Sequence, residues 1–297
     1  MNASYQRPSQ PLTLLAATAA LLLGGAAQAQ VHVDAGWGGG PDDYTSQELH
    51  ADVDFADGRW NAGAGWFVGK VPGEDDTTQW SGALSWRAHD ALTLEYRYSD
   101  VDDGNYSVSG HDLGVSIALE SLWHGTRGVG LDIGYASLTT EANRGTFAGR
   151  TLGQTRPRLG LVWDITDTVS VNLAHEWNRY DHDPVEIAKA LLRRSHNQAQ
   201  PAFTLLGFAD RSTSAGLDWA ITDALTWRVS TGRTVTVLDQ QLKYTRLGAS
   251  YRWNKALTLG VSFTRNSSTA VVTPGGTVLQ ADSRGTWGDV TAGWQFD

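Results

Sequence analysis

The sequence predicts an all-β chain closed into an antiparallel transmembrane β-barrel of about fourteen strands, with about 12–16 compatible with the pattern. Three observations lead there. Apolar and polar residues alternate through most of the chain, which sends successive side chains to opposite faces of a strand. The connections between alternating runs are short and long by turns. A majority of the ring side chains fall on one parity, many of them at the ends of the runs. The stretch DWAITDALTWRV (218–229) shows the pattern in miniature: Leu217, Trp219 and Ile221 lead into a Thr222–Asp223 break, and Leu225, Trp227 and Val229 lead out. A soluble sandwich would turn such a face to a second sheet, and a barrel turns it to lipid.

Residues 1–29 read as an export leader. One Arg precedes the short apolar run PLTLLAATAALLL, and Ala27-Gln28-Ala29 is a small-x-small cleavage pattern. Residues 30–297 then form a single domain. Without Arg7 the mature chain has 23 − 1 = 22 Lys+Arg against 32 Asp+Glu, a net charge of −10, which argues against nucleic acid as a partner. The chain has 33 Gly and 13 Trp and lacks Cys, so its stability comes from a core or from sheet closure rather than from disulfides. No later stretch reaches the ~20 apolar residues of a spanning helix.

Period-two runs cover 31–38, 47–56, 59–69, 78–88, 91–100, 110–121, 128–139, 153–165, 168–179, 210–221, 224–237, 242–253, 256–266 and 285–296. Each approaches the ~9–11 residues of a tilted membrane strand. The connections ADGR (56–59), AHDA (88–91), ITDT (165–168), ITDA (221–224) and WNKA (253–256) are short, while 70–77, 100–109, 140–152, 180–209 and 267–284 are longer and polar. A barrel with short turns on one side and long loops on the other has this asymmetry. The outward parity has Trp37, Trp60, Trp66, Trp80, Trp86, Tyr96, Tyr98, Tyr135, Trp163, Trp177, Trp219, Trp227, Tyr251, Trp253 and Trp294.

The chain ends VTAGWQFD, with Val290, Ala292, Trp294 and Phe296 on one face and Asp297 one residue beyond. This resembles the C-terminal assembly signal of outer-membrane proteins. Together with the leader and the turn asymmetry, it makes the mature chain resemble the bacterial outer-membrane β-barrel superfamily. The resemblance implies a place in the outer membrane after leader removal, contact with lipid and lipopolysaccharide, and recognition of the last strand by the assembly machinery. It implies no cofactor.

Inward parity gives the candidate site. Asp34, Glu48, Asp52, Asp54, Glu95, Asp112, Glu120, Asp132, Asp164, Glu176, Asp218 and Asp289 face Arg87, Arg97, Arg158, Arg228, Arg246 and Arg252. A lumen with so many charges is either wet or densely paired. Gly63, Gly65, Ser81, Gly114, Gly134, Gly248 and Gly260 on the same parity return volume to it. The segment 181–210 has helix-start signals in Asp183, Pro184 and Glu186. It also has three cations, Lys189, Arg193 and Arg194, which would constrict the pore if the loop folds inward or reach lipopolysaccharide phosphates if it lies on the rim.

His32, Asp34, His50, Asp52 and Asp54 share one inner face, which reads as lumen polarity in preference to a metal site. His175 stands where an outer-wall hydrolase would hold a histidine, but NLAHEWN matches no catalytic motif, so no enzyme is expected. The expected function is a passive, porin-like channel for small hydrophilic solutes. A closed structural or adhesive barrel and an export conduit for a secreted polysaccharide are the alternatives.

Overall fold

The computed structural model describes residues 30–296 except 124, 144–147, 186–207, 273–275 and 277. The expected leader lies outside these residues, as does most of the expected loop helix. In chain order the strands are β1 (Gln30–Gly39), β2 (Thr45–Phe55), β3 (Trp60–Lys70), β4 (Thr77–His89), β5 (Leu92–Asp102), β6 (Tyr106–Ala118), β7 (Val129–Ala142), β8 (Thr151–Thr166) and β9 (Val169–Trp177). There follow a two-residue β10 (Arg179–Tyr180), β11 (Ala209–Ala220), β12 (Leu225–Thr236), β13 (Gln241–Arg252) and β14 (Leu257–Ser268). A small ribbon of β15 (Val271–Val272) and β16 (Val278–Gln280) precedes β17 (Ser283–Phe296).

Fourteen of these make the wall. Each pairs antiparallel with its neighbours, β8 pairs with β9, and β1 pairs with β17, so the sheet is closed. The short β10 follows β9 and pairs with β8. All fourteen alternating runs of the sequence became wall strands, with ends shifted by a few residues.

Directly opposed residues of an antiparallel ladder share a face. The row Asp34–His50–Gly65–Ser81–Ser99 therefore lies inside, and each strand's alternate residues lie outside. Outside stand large apolar side chains such as Tyr135, Leu247, Phe263 and Val290, each about half exposed. A contiguous exposed belt of this kind on a closed sheet requires an apolar surround, which is lipid.

Four of the turns at the end that holds both termini share one device: a side-chain acceptor takes amides two or three residues ahead. Thr166 Oγ1 accepts from Thr168 and Val169, and Thr222 Oγ1 accepts from Ala224 and Leu225. Asn254 Oδ1 accepts from Ala256 and Leu257, and His89 Nδ1 accepts from Ala91. Thr and Asn are favoured there for this reason. The connection between β6 and β7 differs. It starts with a 3₁₀ turn, Leu119–Ser121, where the sequence continues the alternation to 121.

The expected strict alternation of short and long connections does not hold. Strands β5 and β6 run further than expected towards the loop end, which leaves only 103–105 between them, and the connection between β12 and β13, 237–240, is as short as the turns at the other end. The tight 103–105 turn is fixed by Asp102, which accepts from Gly104, and Asp103, which accepts from Asn105 and Tyr106. Burial nevertheless pushes the Asp103 carboxyl above its usual range.

Two outcomes test the register and the orientation. Leu247→Arg, outward near mid-barrel, should cost folding in bilayers about 2–4 kcal/mol, whereas inward Ser250→Arg should be tolerated; equal heat stability of the two refutes the parity. An epitope between Glu74 and Asp75 should bind antibody on intact cells and one at Asp223 only after permeabilisation, since the end with short turns is the periplasmic one.

Candidate functional site

The register places seventeen of the eighteen expected wall residues on the inner face: Asp34, Glu48, Asp52, Asp54, Arg87, Glu95, Arg97, Asp112, Asp132, Arg158, Asp164, Glu176, Asp218, Arg228, Arg246, Arg252 and Asp289. Glu120 is the exception. It lies in the 3₁₀ turn outside the wall, where its Oε2 accepts from Gly128 at 2.8 Å, because the alternation that assigned it had already ended at Ala118. Lys189, Arg193 and Arg194 lie outside the described residues. Just before them, Asp183 Oδ1 accepts from the Val185 amide at 2.9 Å, as an N-cap does.

Arg156 was missed although it shares Arg158's parity. It joins the charges of the β5–β9 wall, which lie in two neighbouring rows. One row is Arg97–Asp112–Ala136–Arg156 and the other is Glu95–Gly114–Gly134–Arg158–Glu176. Asp112 Oδ2 receives Arg156 and Arg158, each at 3.5 Å, and Arg156 reaches Glu176 at 4.0 Å. Acid and base thus interleave, which is how half-buried charges become affordable. Gly134 is the reason the geometry works. A Cβ there would meet Nη2, Nε and Cζ of Arg158 at 2.9–3.1 Å, so its absence lets the guanidinium lie flat across β7 to reach β6.

The wall from β11 round to β2 repeats this arrangement. Arg228 pairs with Asp218 on the adjacent strand. Arg246 donates from Nε and Nη2 to Ser262 Oγ at 3.1 and 2.9 Å, and that hydroxyl donates to Asp289 Oδ2 at 3.1 Å. Glu48 lies over Gly36, and Asp34 lies over Gly293. Towards the terminal end the balance turns acidic. Asn61 donates to both Asp52 and Asp54, at 3.2 and 3.0 Å, and Ser116 donates to Asp132 at 2.6 Å.

The histidines expected to add polarity form separate pairs, His32 with Asp34 at 3.0 Å and His50 with Asp52 at 3.6 Å. Among the described residues no group of three or more His, Asp and Glu is gathered for a metal ion. His175 is on the outer face, bonded to Thr213 at 2.6 Å and edge-on to Trp177.

Two recesses open between these walls. One, of about 410 Å³, is lined by Tyr44, Glu48, Phe67, Tyr244, Arg246 and Trp287. The other, of about 560 Å³, also touches Glu48, Phe67 and Arg246 and extends to His50, Gln79 and Arg228. Gln79 on β4 and Arg228 on β12 stand seven strands apart round the ring, so this space crosses the barrel.

At the loop end the inner face changes character, which the sequence reading did not anticipate. Val101, Tyr106, Val108 and Leu138 form a buried cluster, and Tyr44, Val71 and Trp287 form a second. Leu152 and Phe208 form a third. All the strand residues among these lie on the inward parity, a signal that was present but went unused once inward positions were read for charge. Burial pushes the Tyr44 phenol above its usual range.

Gly134→Ala should lower the heat stability of the folded barrel by about 1–3 kcal/mol through overpacking against Arg158. Gly130→Ala, also inward but with its nearest neighbours at 3.6 and 3.9 Å, should be neutral or slightly stabilising. Equal midpoints in detergent melts would remove the close-approach role of Gly134.

No family model and no curated protein matches the chain by sequence. Solved structures do match by shape. The CymD monoaromatic hydrocarbon channel is similar at a TM-score of 0.54 and 10% identity, over 100% of this chain and 95% of that one. A Pseudomonas aeruginosa FadL homologue gives 0.49 and 14%, over 90% and 89%, and the KdgM porin gives 0.45 and 11%, over 90% and 99%. At these identities the likeness concerns fold. Closed wall, apolar belt and structural likeness agree: the chain has the fold of the bacterial outer-membrane β-barrels.

Proposed function

We propose that this barrel is a passive, porin-like channel for small hydrophilic solutes in the bacterial outer membrane, reached after removal of residues 1–29. One observation carries the reading: the inner charges lie along the wall, over glycines and against one another, and leave polar space that spans the barrel at the level of Gln79 and Arg228. Charges projecting radially would fill such a lumen, and charges packed against apolar groups would be too costly to keep. The arrangement suits a solute that exchanges water for polar wall contacts.

The wall also sets a sign. Eleven inward acids against seven inward Arg, counting Arg156, leave an excess of 11 − 7 = 4 negative charges. Acid-rich pores favour cations. Both walls hold ion pairs, so the positive charge of Arg228, Arg246 and Arg252 is balanced round the ring by Arg97, Arg156 and Arg158.

Reconstituted into planar bilayers, the protein should give ohmic conductance and a reversal potential across a KCl gradient of the sign for cation preference. Asp52→Asn with Asp54→Asn should weaken that preference without closing the channel. A folded barrel that does not conduct overturns the channel reading in favour of a closed structural barrel, and anion preference overturns the assignment of charge.

A further inference from the structure

The outer face of the wall is not uniform above the apolar belt. On five consecutive strands, β11, β12, β13, β14 and β17, one outward position near the loop end is basic: Arg211, Arg233, Lys243, Arg265 and Arg284, all exposed. Register brings them together. Arg233 is directly opposite Lys243, and Lys243 and Arg284 flank Ser267 in one row. Arg265 is opposite Thr245 and Thr286, which makes it a diagonal neighbour of both Lys243 and Arg284. Directly opposed residues have Cβ atoms about 4.5–5.5 Å apart, and like charges so placed repel.

Only Arg211 has an acidic partner, Asp210 at 3.5 Å; Arg233, Lys243, Arg265 and Arg284 pair with no carboxylate among the described residues. The rim from β1 to β8 is different. At the loop ends of β1 to β8 the single outward strand cation is Lys70, paired with Asp76 at 2.9 Å, while Asp100, Asp102 and Glu141 are outward. Uncompensated repulsion confined to one arc calls for an anion from outside the chain.

Height identifies that anion. Two residues towards mid-barrel from four of these cations stand Thr213, Thr231, Thr245 and Thr286, and the next outward positions include Val229 and Leu247, while the fifth cation, Arg265, has the exposed Phe263 directly below it. The cations thus sit at the upper edge of the hydrocarbon belt, at headgroup level. We propose that the arc Arg233–Lys243–Arg265–Arg284 binds the phosphate groups of the outer-leaflet glycolipid, with Arg forks taking phosphate oxygens bidentately. The site is on the lipid side of the wall, so it rests on the membrane orientation of the barrel and is independent of whether the lumen conducts.

The test uses the refolded full-length barrel in detergent, with bisphosphorylated lipid A and its dephosphorylated form as probes and retained lipid measured by native mass spectrometry. Arg233→Ser, Lys243→Ser, Arg265→Ser and Arg284→Ser combined should weaken bisphosphorylated lipid A at least about tenfold. The combined Arg233→Lys, Arg265→Lys and Arg284→Lys variant, which preserves charge, should stay much closer to the parent. Dephosphorylated lipid A should not distinguish the variants. Unchanged heat modifiability establishes that each variant is folded. Equal retention by the parent and the Ser variant overturns the site, as does loss on dephosphorylated lipid A of the same size. Displacement of lipid A by inorganic phosphate at equal concentration overturns the lipid as its occupant.

Discussion

The seam between the first and last strands is the contact on which everything else depends. It runs from Val31–Phe296 to Gly39–Gly288, and without it β1 and β17 would each present a row of unpaired amides and carbonyls to hydrocarbon. In lipid no water is available to satisfy them, so an open sheet of this length has no stable place in a membrane. The same constraint explains how the wall treats its irregularities. Where β9 stops at Trp177, the Asn178 amide donates to Asp210 O and its side-chain Oδ1 accepts from Gln154 Nε2, so both of these groups at the break find partners within the wall. The interruption is at the loop end, above the belt.

Closure also divides the chain's residues between two solvents. Outward positions meet lipid and need only be apolar and large, which Trp219, Trp227, Leu247 and Phe263 satisfy, each about half exposed. Inward positions carry charge in a confined space and must find partners within reach of a curved wall. Arg156 and Arg158 span two strands to Asp112, and Arg246 reaches Asp289 through Ser262. Such spans need a strand between the partners that offers no bulk, which is why Ala136 and Gly134 stand where they do. Glycine contributes here through the side chain it lacks rather than through backbone freedom.

The sequence made the wall legible because a period of two is written separately into each strand and repeated fourteen times. Trp219 and Trp227, on either side of one turn, declare the outer face unaided. Glu120 misled because alternation can continue by chance into a turn, and only the 3₁₀ bonds after Ala118 end the strand. The length of 103–105 was invisible for a related reason: Asp102 and Asp103 read as loop polarity, whereas their carboxylates build a tight turn. Pairing partners such as Arg156 and Asp112 are 44 positions apart in sequence, and their proximity follows from register, which no local pattern contains. The inward cluster of Val101, Tyr106, Val108 and Leu138 was readable by parity but contradicts the simple rule that a lumen is polar.

That cluster changes how the interior discriminates. A wholly polar lumen would sort solutes by size and charge at one level. Here the two properties separate along the axis. Near the loops, Tyr44, Tyr106 and Trp287 are almost fully buried and the inner face is packed against itself, so the outer part of the lumen acts through its shape. Towards the termini Asp52, Asp54, Asp132 and Asp218 stand in a half-exposed interior, where charge acts over a water-filled distance of about a Debye length, ~8 Å at physiological salt. On the proposed channel reading, a solute entering from the loop end meets steric selection before electrostatic selection. For such a channel the order is favourable physically, because a screened charge exerts little pull beyond a Debye length, whereas a solute already past the packed collar lies within range of the acids.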